Sequence, residues 1–315
     1  MNPTSPPLSR SHRAAAIALV VLPALGFVAA SVAAWHSHLR PWHVGIAIVF
    51  YLISGFGITM GFHRLFTHKS FRASPLLRGF LCVAGSMAFQ GPVFFWAALH
   101  REHHRHSDCE MDPHTPNHHG EGFRGTIRGL WHAHVGWMLT LRGVAYRRLV
   151  PDLLKDPLLV SLSRYYGVWV ALGVLLPGII SLAFEASLGN FLVGCLYGGL
   201  ARIFLVSHAT WSVNSLCHCF GARAFATPDQ SRNNRWCALW SLGEGWHNNH
   251  HAFPVSARHG LLKGQLDPTY WMIRLCERAG WASDVRLPRH RELMPDFEAG
   301  PAMEATGPNS NQFLP

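Results

Sequence analysis

The chain has 315 residues, 49% of them apolar and only 14% charged, and its 27 Lys and Arg against 17 Asp and Glu give a formal net charge of +10. It is long enough for a substantial core and too poor in charge for an ordinary soluble domain, so it reads as a membrane protein. The positive balance suits anionic lipid headgroups or an acidic protein partner, and no nucleic-acid-binding motif accompanies it, so nucleic acid is not expected as a partner.

Residues 1–13 are polar, with Pro3, Pro6, Pro7, Arg10 and Arg13, and carry no pattern of regular structure. An apolar run from Ala14 to Trp35 is long enough to cross a hydrocarbon core of about 30 Å, which takes roughly 20 helical residues. A cleaved signal peptide ending near Val32-Ala33-Ala34 is the competing reading. The run is long for a signal core, however, and a second apolar run, Val44 to Met60, follows after a short connection, so the two read as a hairpin. A basic, mostly polar stretch then extends to about Arg164. It is interrupted by apolar Leu76 to Leu99, which Gln90, Gly91 and Pro92 break into a partly buried helix, and by amphipathic Gly129 to Leu141. Two more runs, Tyr165 to Phe184 and Leu188 to about Thr210, are separated by Glu185-Ala186-Ser187 and form a second hairpin. The tail from about Glu292 is rich in Pro, Gly, Asn and Glu and is assigned no structure.

The expected fold is an all-α integral membrane protein with four transmembrane helices in two hairpins, at about 14–35, 43–61, 165–184 and 188–210. A helical cap from 62–164 and 211–290 completes one domain over 14–290, flanked by a disordered N-terminus (1–13) and a disordered tail (291–315). Arg40 is the only Lys or Arg in the two short connections, so the positive-inside rule places both termini and the middle loop in the cytoplasm. The seven cysteines form no C-x-x-C pair and, apart from Cys217-His218-Cys219, no cluster. They read as reduced, cytoplasm-side thiols, with Cys217 and Cys219 packing rather than ligating.

Histidine carries the chemistry. Of 22 in the chain, His247, His250 and His251 stand at i, i+3 and i+4, and His100, His103 and His104 repeat that spacing. On a helix either set presents three imidazoles on one face. His63 and His68 form a looser pair. Five positions are about 140° of rotation at 3.6 residues per turn, so they share a face only if the helix ends between them, as expected here. Eight histidines are too many for one ion and suit two. Imidazole accepts iron, copper, zinc or nickel, so ligand type alone does not choose the metal. Glu102, Asp108, Asp112 and Glu244 lie beside these boxes and read as partners that orient imidazoles. His12, His36, His38, His259 and His290 read as ordinary surface or core histidines. His106, His114, His118, His119, His132, His134 and His208 are left as non-ligands, His134 in His-Val-Gly-Trp being the foremost among them. An all-nitrogen two-metal site at a membrane face, without a nucleophile motif, points to oxidation of a lipid chain rather than hydrolysis.

The segments Tyr-Leu-Ile-Ser-Gly-Phe-Gly-Ile-Thr-Met-Gly-Phe-His-Arg-Leu-Phe-Thr-His (51–68), His-Arg-Glu-His-His (100–104), Asn-Ser-Leu-Cys-His (214–218) and Gly-Glu-Gly-Trp-His-Asn-Asn-His-His (243–251) resemble the membrane-bound fatty acyl desaturases of the stearoyl-CoA, delta-9 type. The likeness covers roughly residues 40–275. It implies a ninth ligand, His218, and a water-bridged contact from Asn214. It implies two Fe2+ ions, O2 as co-substrate, and removal of hydrogens from adjacent methylenes to give a cis double bond in saturated chains of about 16 to 18 carbons. No fused carrier motif such as His-Pro-Gly-Gly is visible, so electrons are expected from a separate cytochrome b5, ferredoxin or flavoprotein reductase, which the basic face suits. The resemblance also implies that Gln90 and Thr210 form the polar pair at the bend of an acyl tunnel. Trp96 and Trp211 would wall that bend, and Tyr51 and Gly55 would close the far end.

This sequence departs from the animal acyl-CoA enzymes where those show Arg-Asp before the second box and Asn-Asp further upstream. Here the positions are Ala98-Leu99 and Gly91-Pro92. Groups that would grip a CoA moiety are thereby lost, which favours acyl chains esterified in lipids over acyl-CoA, although Arg147, Arg148, Lys155 or Arg223 offer cations for phosphate. Related histidine boxes occur in membrane hydroxylases and alkane monooxygenases, whose product is an alcohol. A metal transporter is disfavoured because its ligands belong near the membrane midplane, whereas these cluster at span ends and in loops.

Overall fold

The computed structural model describes residues 10–36, 38–140 and 146–289. Helix α1 (Arg10–Trp35) is long and apolar. It begins four residues before the apolar run, so Arg10 to Arg13, expected to be unstructured, form its first turn. Extending a formed helix adds a hydrogen bond per residue without a new nucleation cost. The rest of the expected N-terminal disorder, 1–9, and the expected tail, 291–315, lie outside the described residues.

Helix α2 (Pro41–Thr67) starts on a proline, whose missing N–H costs nothing in the first turn. It ends at Thr67, between His63 and His68 as expected, but a change of pitch before that end is what aligns the pair. From Gly57 to Thr67 it widens into a π-helix, and the His68 N–H donates to the His63 carbonyl five residues back at 3.1 Å. In the i→i+5 pattern residues five apart stack on one face, which an α-helix forbids. The two rings consequently lie 4.9 Å apart.

The apolar segment after α2 breaks where expected. Helix α3 (Pro75–Ser86) is capped by Ser74 Oγ, helix α4 (Val93–His106) carries the second histidine box, and Met87 to Pro92 connect them, with Gly91 at φ +93°. Helix α5 (Gly122–Trp131) runs on through a π turn, His132–Gly136, to Trp137–Thr140, taking in the amphipathic stretch. Two one-turn helices, Tyr146–Leu149 and Pro151–Leu154, lead to α6 (Pro157–Arg164) and α7 (Tyr166–Ser181), which meet at a bend of 62°. The expected span at 165–184 is therefore a helix of 16 residues, about 24 Å long at 1.5 Å per residue, short of a core of about 30 Å. Three helices, α1, α2 and α8 (Leu188–Leu216), are long and apolar enough to cross a membrane, or four if the bent pair α6 and α7 counts as one. Three short helices follow: α9 (Arg235–Trp240), α10 (His247–Ala252) and α11 (Pro268–Arg278). A two-stranded ribbon, Arg72–Ala73 with Ala282–Ser283, ties the chain after α2 to its far end.

α2 and α8 run parallel. At their starts, Trp42 Nε1 donates to Asn190 Oδ1 at 3.1 Å and His43 Nε2 lies 2.7 Å from the same oxygen. At their ends stand His63, His68 and His218. The core between α2, α3 and α4 holds buried Met60, Phe62, Leu81, Ala88 and Ala97. Glycine lets α2 and α3 approach: a Cβ on Gly57 would sit 2.1 Å from the backbone nitrogen of Gly85. Backbone cannot yield as a side-chain tip can, so overpacking here should cost at least the usual range of about 1–3 kcal/mol. Gly57→Ala is accordingly expected to lower the thermal midpoint of the purified protein, whereas Gly45→Ala, with no atom within 4 Å of the added carbon, should leave it unchanged.

Candidate metal centre

The nine expected histidines come together in two sets. His63, His68, His100, His104 and His250 form one, and His103, His218, His247 and His251 the other, with the ligand atoms of each set within 4.8 Å of one another. The division cuts across the sequence boxes. α4 gives its i, i+4 pair, His100 and His104, to the five-histidine set and His103 to the other. α10 gives its i, i+4 pair, His247 and His251, to the four-histidine set and His250 to the first. Residues four apart lie nearly in line along a helix while the i+3 residue leans aside, so two crossed helices can each feed both sites.

Distances test whether a metal fits. His100 and His104 Nε2 are 3.0 Å apart, His104 and His250 2.9 Å, and His63 and His250 3.1 Å. In the second set His218 and His247 Nε2 are 3.0 Å apart, His247 and His251 3.0 Å, and His103 and His251 3.3 Å. Two nitrogens each about 2.0–2.1 Å from one ion are separated by about 2.9–3.4 Å for ligand angles between square and tetrahedral. The spacing is that of nitrogens around a shared ion.

Four carboxylates decide which ring nitrogen is free. Asp112 Oδ2 holds His103 Nδ1 at 2.9 Å, Asp108 Oδ2 holds His218 Nδ1 at 2.8 Å, Asp229 Oδ2 holds His251 Nδ1 at 2.6 Å, and Glu244 Oε2 holds His63 Nδ1. An ionised carboxylate only accepts, so Nδ1 carries the proton and Nε2 presents a lone pair. With both rings neutral, His103 and His251 point lone pair at lone pair, an arrangement that a cation between them would satisfy. The carboxylates do ionise. Burial alone would raise the Asp108 pKa, but hydrogen bonding and charge from His218, with the Gln230 N–H, hold it down to about 2. Burial likewise opposes ionisation of Asp112 and Asp229, and the imidazoles beside them outweigh it. Burial pushes His251 down to about 4 and, with neighbouring rings, holds His100, His104, His247 and His250 well below the usual range, so these rings are neutral at pH 7. At His103 the field of Asp112, Asp108 and Asp229 overcomes burial and raises the pKa, and the same field favours a metal cation.

Two of these relationships were not visible in the sequence. Asp229 lies 22 positions from the ring it orients, with no motif around it. His259, expected to be an ordinary histidine, is 1% exposed and lies against His63, Glu244 and His250, its ring 4.5 Å from that of His250. Glu102, expected to orient an imidazole of the site, points away, and its partners are Arg105 and His106 at 3.7 Å. Two residues from His100 on a helix is about 200° of rotation, so it faces away from the ligand row. His114 packs against His103 with a ring distance of 4.4 Å, and its backbone N–H donates to Asp112 Oδ1 at 3.0 Å. Among the expected non-ligands, His134 Nε2 lies 2.9 Å from His208 Nδ1, away from both sets.

A cavity opens from the metal face. His63, His100, His247 and Asn214 line its inner end, and Tyr51, Gly55, Trp240 and Leu242 its outer end, with Trp96 and Thr210 between. α8 supplies Val206, Ala209, Thr210, Val213 and Asn214, an i, i+3, i+4, i+7, i+8 face. Trp211 falls off that face and packs instead with Leu99, Val135, Trp137 and Met138. Gln90 stands behind the wall, donating to Thr210 Oγ1 at 3.1 Å and accepting from Trp96 Nε1 at 3.3 Å. Tyr51 donates to the Trp240 carbonyl at 2.5 Å.

Because outer carboxylates typically control metal affinity by 10–100-fold, Asp229→Asn should weaken metal binding in roughly that range. Metal analysis of the purified protein after mild chelation should find fewer ions per chain than in the parent, with Glu102→Gln unchanged.

The fatty acid desaturase family model matches residues 39–282. Over 270 residues the chain is 40% identical to a hex-5-enoyl-[acyl-carrier protein] acetylenase of Moorena producens, covering 85% of this chain and 84% of that protein. It is 39% identical to an sn-1 stearoyl-lipid 9-desaturase of Anabaena variabilis, over 78% of this chain and 84% of the relative. A probable acyl-CoA desaturase of Schizosaccharomyces pombe is 37% identical over 76% of this chain and 48% of its own length. With this extent of match, and with the histidines gathered into two metal-competent sets at the inner end of an apolar cavity, the chain belongs to the fatty acid desaturase family.

Proposed function

We propose that this protein is an O2-dependent delta-9 desaturase that places a cis double bond in saturated chains of about 16 to 18 carbons. Two iron ions, held by His63, His68, His100, His104 and His250 and by His103, His218, His247 and His251, supply the oxidising chemistry when bound. The observation that carries the reading is the convergence of nine Nε2 or Nδ1 atoms in a five and a four at the inner end of a cavity lined by Trp96, Thr210 and Tyr51. Asn214, which lines the same cavity as His247, would hold a water on the four-histidine side. The chain's own contribution to the reaction is geometric. Gln90 and Thr210 bend the tunnel, Trp96 fixes the width at the bend, and Tyr51 with Gly55 closes the outer end, so that a chain of given length stops with one pair of methylenes beneath the ions.

Removing two hydrogens from an acyl chain while reducing O2 to two waters takes two further electrons and two protons. A separate donor, cytochrome b5, ferredoxin or a flavoprotein reductase, is therefore part of the reading. For the carrier we favour lipid-linked chains. Ala98 and Leu99, where the animal acyl-CoA enzymes show Arg-Asp, are 0% and 5% exposed and packed into apolar clusters, leaving no polar group there for CoA. Relatives bear names with lipid, CoA and acyl-carrier-protein carriers, so carrier is the variable property. Positive charge at the termini and in the middle of the chain supports four spans, with both ends and the metal centre on the cytoplasmic side, and one domain over 14–290.

Expression in a desaturase-deficient host should yield chains with a double bond at carbon 9. An alcohol as the main product would instead support the hydroxylase reading. His247→Ala or His103→Ala should abolish the product while the protein stays in the membrane. Tyr51→Ala should extend the preferred chain length, measured as the product ratio of longer to shorter chains. With purified enzyme and donor, phospholipid-bound chains should turn over faster than acyl-CoA, and efficient turnover of acyl-CoA alone would refute the lipid assignment.

A further inference from the structure

Arg202 is a buried cation that the metal centre does not use. It lies within the apolar helix α8, is 1% exposed, and makes no ion pair among the described residues. Its guanidinium is spent on three backbone carbonyls: Nε donates to Gly198 at 3.0 Å, Nη1 to Met87 at 2.8 Å and Nη2 to Gly173 at 2.6 Å. Two of these have lost their helical donor. Met87 is the cap residue just past α3, and Gly173 faces Pro177 four residues on, which has no N–H to give. In an apolar surrounding an orphaned carbonyl costs several kcal/mol, so a three-way donor here has a structural use. An ionisable residue inside a span nevertheless calls for a functional reading as well.

That reading comes from what Met87 begins. The break Met87 to Pro92 carries Gln90, whose amide donates to Thr210. Thr210 is on the same helix as Arg202, eight residues later, or about 12 Å along the axis. One helix therefore grips the break at two points, and Tyr166 Oη adds a third by accepting the Gly91 N–H at 2.9 Å. Phe89, between the two grips, has φ +57°. A left-handed bulky residue is costly and persists only where its surroundings force it. Further along, α8 brings Asn214 to the cavity wall and leads to His218.

We propose that Arg202 is a positioning residue for the site of oxidation. By fixing Met87 it holds Gln90 at a set distance, along α8, from the four-histidine set, and so determines which carbon pair stops at the metal face. The proposal rests on the reading of Gln90 and Thr210 as the tunnel bend. A charge that served packing alone would, when removed, lower stability without moving the double bond.

The test is the double-bond position in products of Arg202→Gln and Arg202→Lys, made in a desaturase-deficient host and located by mass spectrometry. Metal content is measured on each purified variant. Glutamine loses the reach to three carbonyls, and lysine has one nitrogen for three directions, so positional isomers other than the main one should rise at least tenfold in the first and less in the second. Pro177→Ala returns an N–H to the Gly173 carbonyl. Arg202→Gln/Pro177→Ala should therefore regain stability yet keep the scattered positions, while Pro177→Ala alone keeps the parent's position. An unchanged single position in whichever Arg202 variants accumulate with their ions overturns the proposal. Gln90→Leu separates the two readings. If it scatters the products and the Arg202 variants do not, Arg202 has no positioning role; if it also leaves the position unchanged, the bend reading falls and this proposal with it.

Discussion

The bond from a buried carboxylate to an imidazole Nδ1 is the interaction on which the rest of the site depends. Without it, His63, His103, His218 and His251 could expose either nitrogen, and the separations between Nε2 atoms would have no reason to match a shared ion. Each carboxylate is itself fixed. Asp112 accepts from the backbone of Asp108 and His114, Asp108 from Thr115, Asn117 and the Gln230 N–H, and Asp229 from Ser231. Glu244 is held by Arg64, which is wholly buried and shared with Asp267. The loops 107–118 and 227–234, which have little regular structure, are therefore as much part of the centre as the helices that carry the rings.

The second constraint is helical pitch. Three helices carry π segments, Gly57–Thr67, His132–Gly136 and Cys195–Ala201. The first turns a five-residue spacing into a ligand pair. The third lies just before Arg202 on α8. Its widened turn leaves carbonyls out of register with the α-helical pattern, and Arg202 Nε takes up that of Gly198. Local departures from the α-helix occur where a side chain must be aimed, a known association for inserted π turns.

What the sequence made legible follows from which signals are local. The spacing i, i+3, i+4 is a local signal, and it located the second and third histidine boxes. The sorting of each box between two ions is set by how α4 crosses α10, and no spacing records that. Glu102 is adjacent to the second box in the chain, yet two residues along a helix lead to the opposite side. Asp229 and His259 are single residues in irregular segments, which carry no period. His218 was recognisable only through the family motif around it. The bend between α6 and α7 has no sign in the composition, because the apolar run begins at Tyr165 and nothing before it marks a helix that joins at a different angle.

Charge explains why the ligands are all nitrogen while the acids stand one layer back. Nine neutral imidazoles contribute no charge, so two divalent ions would bring four positive charges into an almost fully enclosed site. Asp108, Asp112, Asp229 and Glu244 supply four negative charges within one imidazole of the metal positions, and Arg64 and Asp267 cancel each other. Uncompensated charge in a low-dielectric interior is heavily penalised, and an imidazole polarised by a carboxylate passes part of that compensation to the metal. Direct carboxylate ligands would achieve the same neutrality, but they would occupy coordination positions with groups that can shift or bridge. Placing the acids behind the rings keeps the inner face uniform and leaves the side toward Trp96 and Thr210 open to an apolar chain.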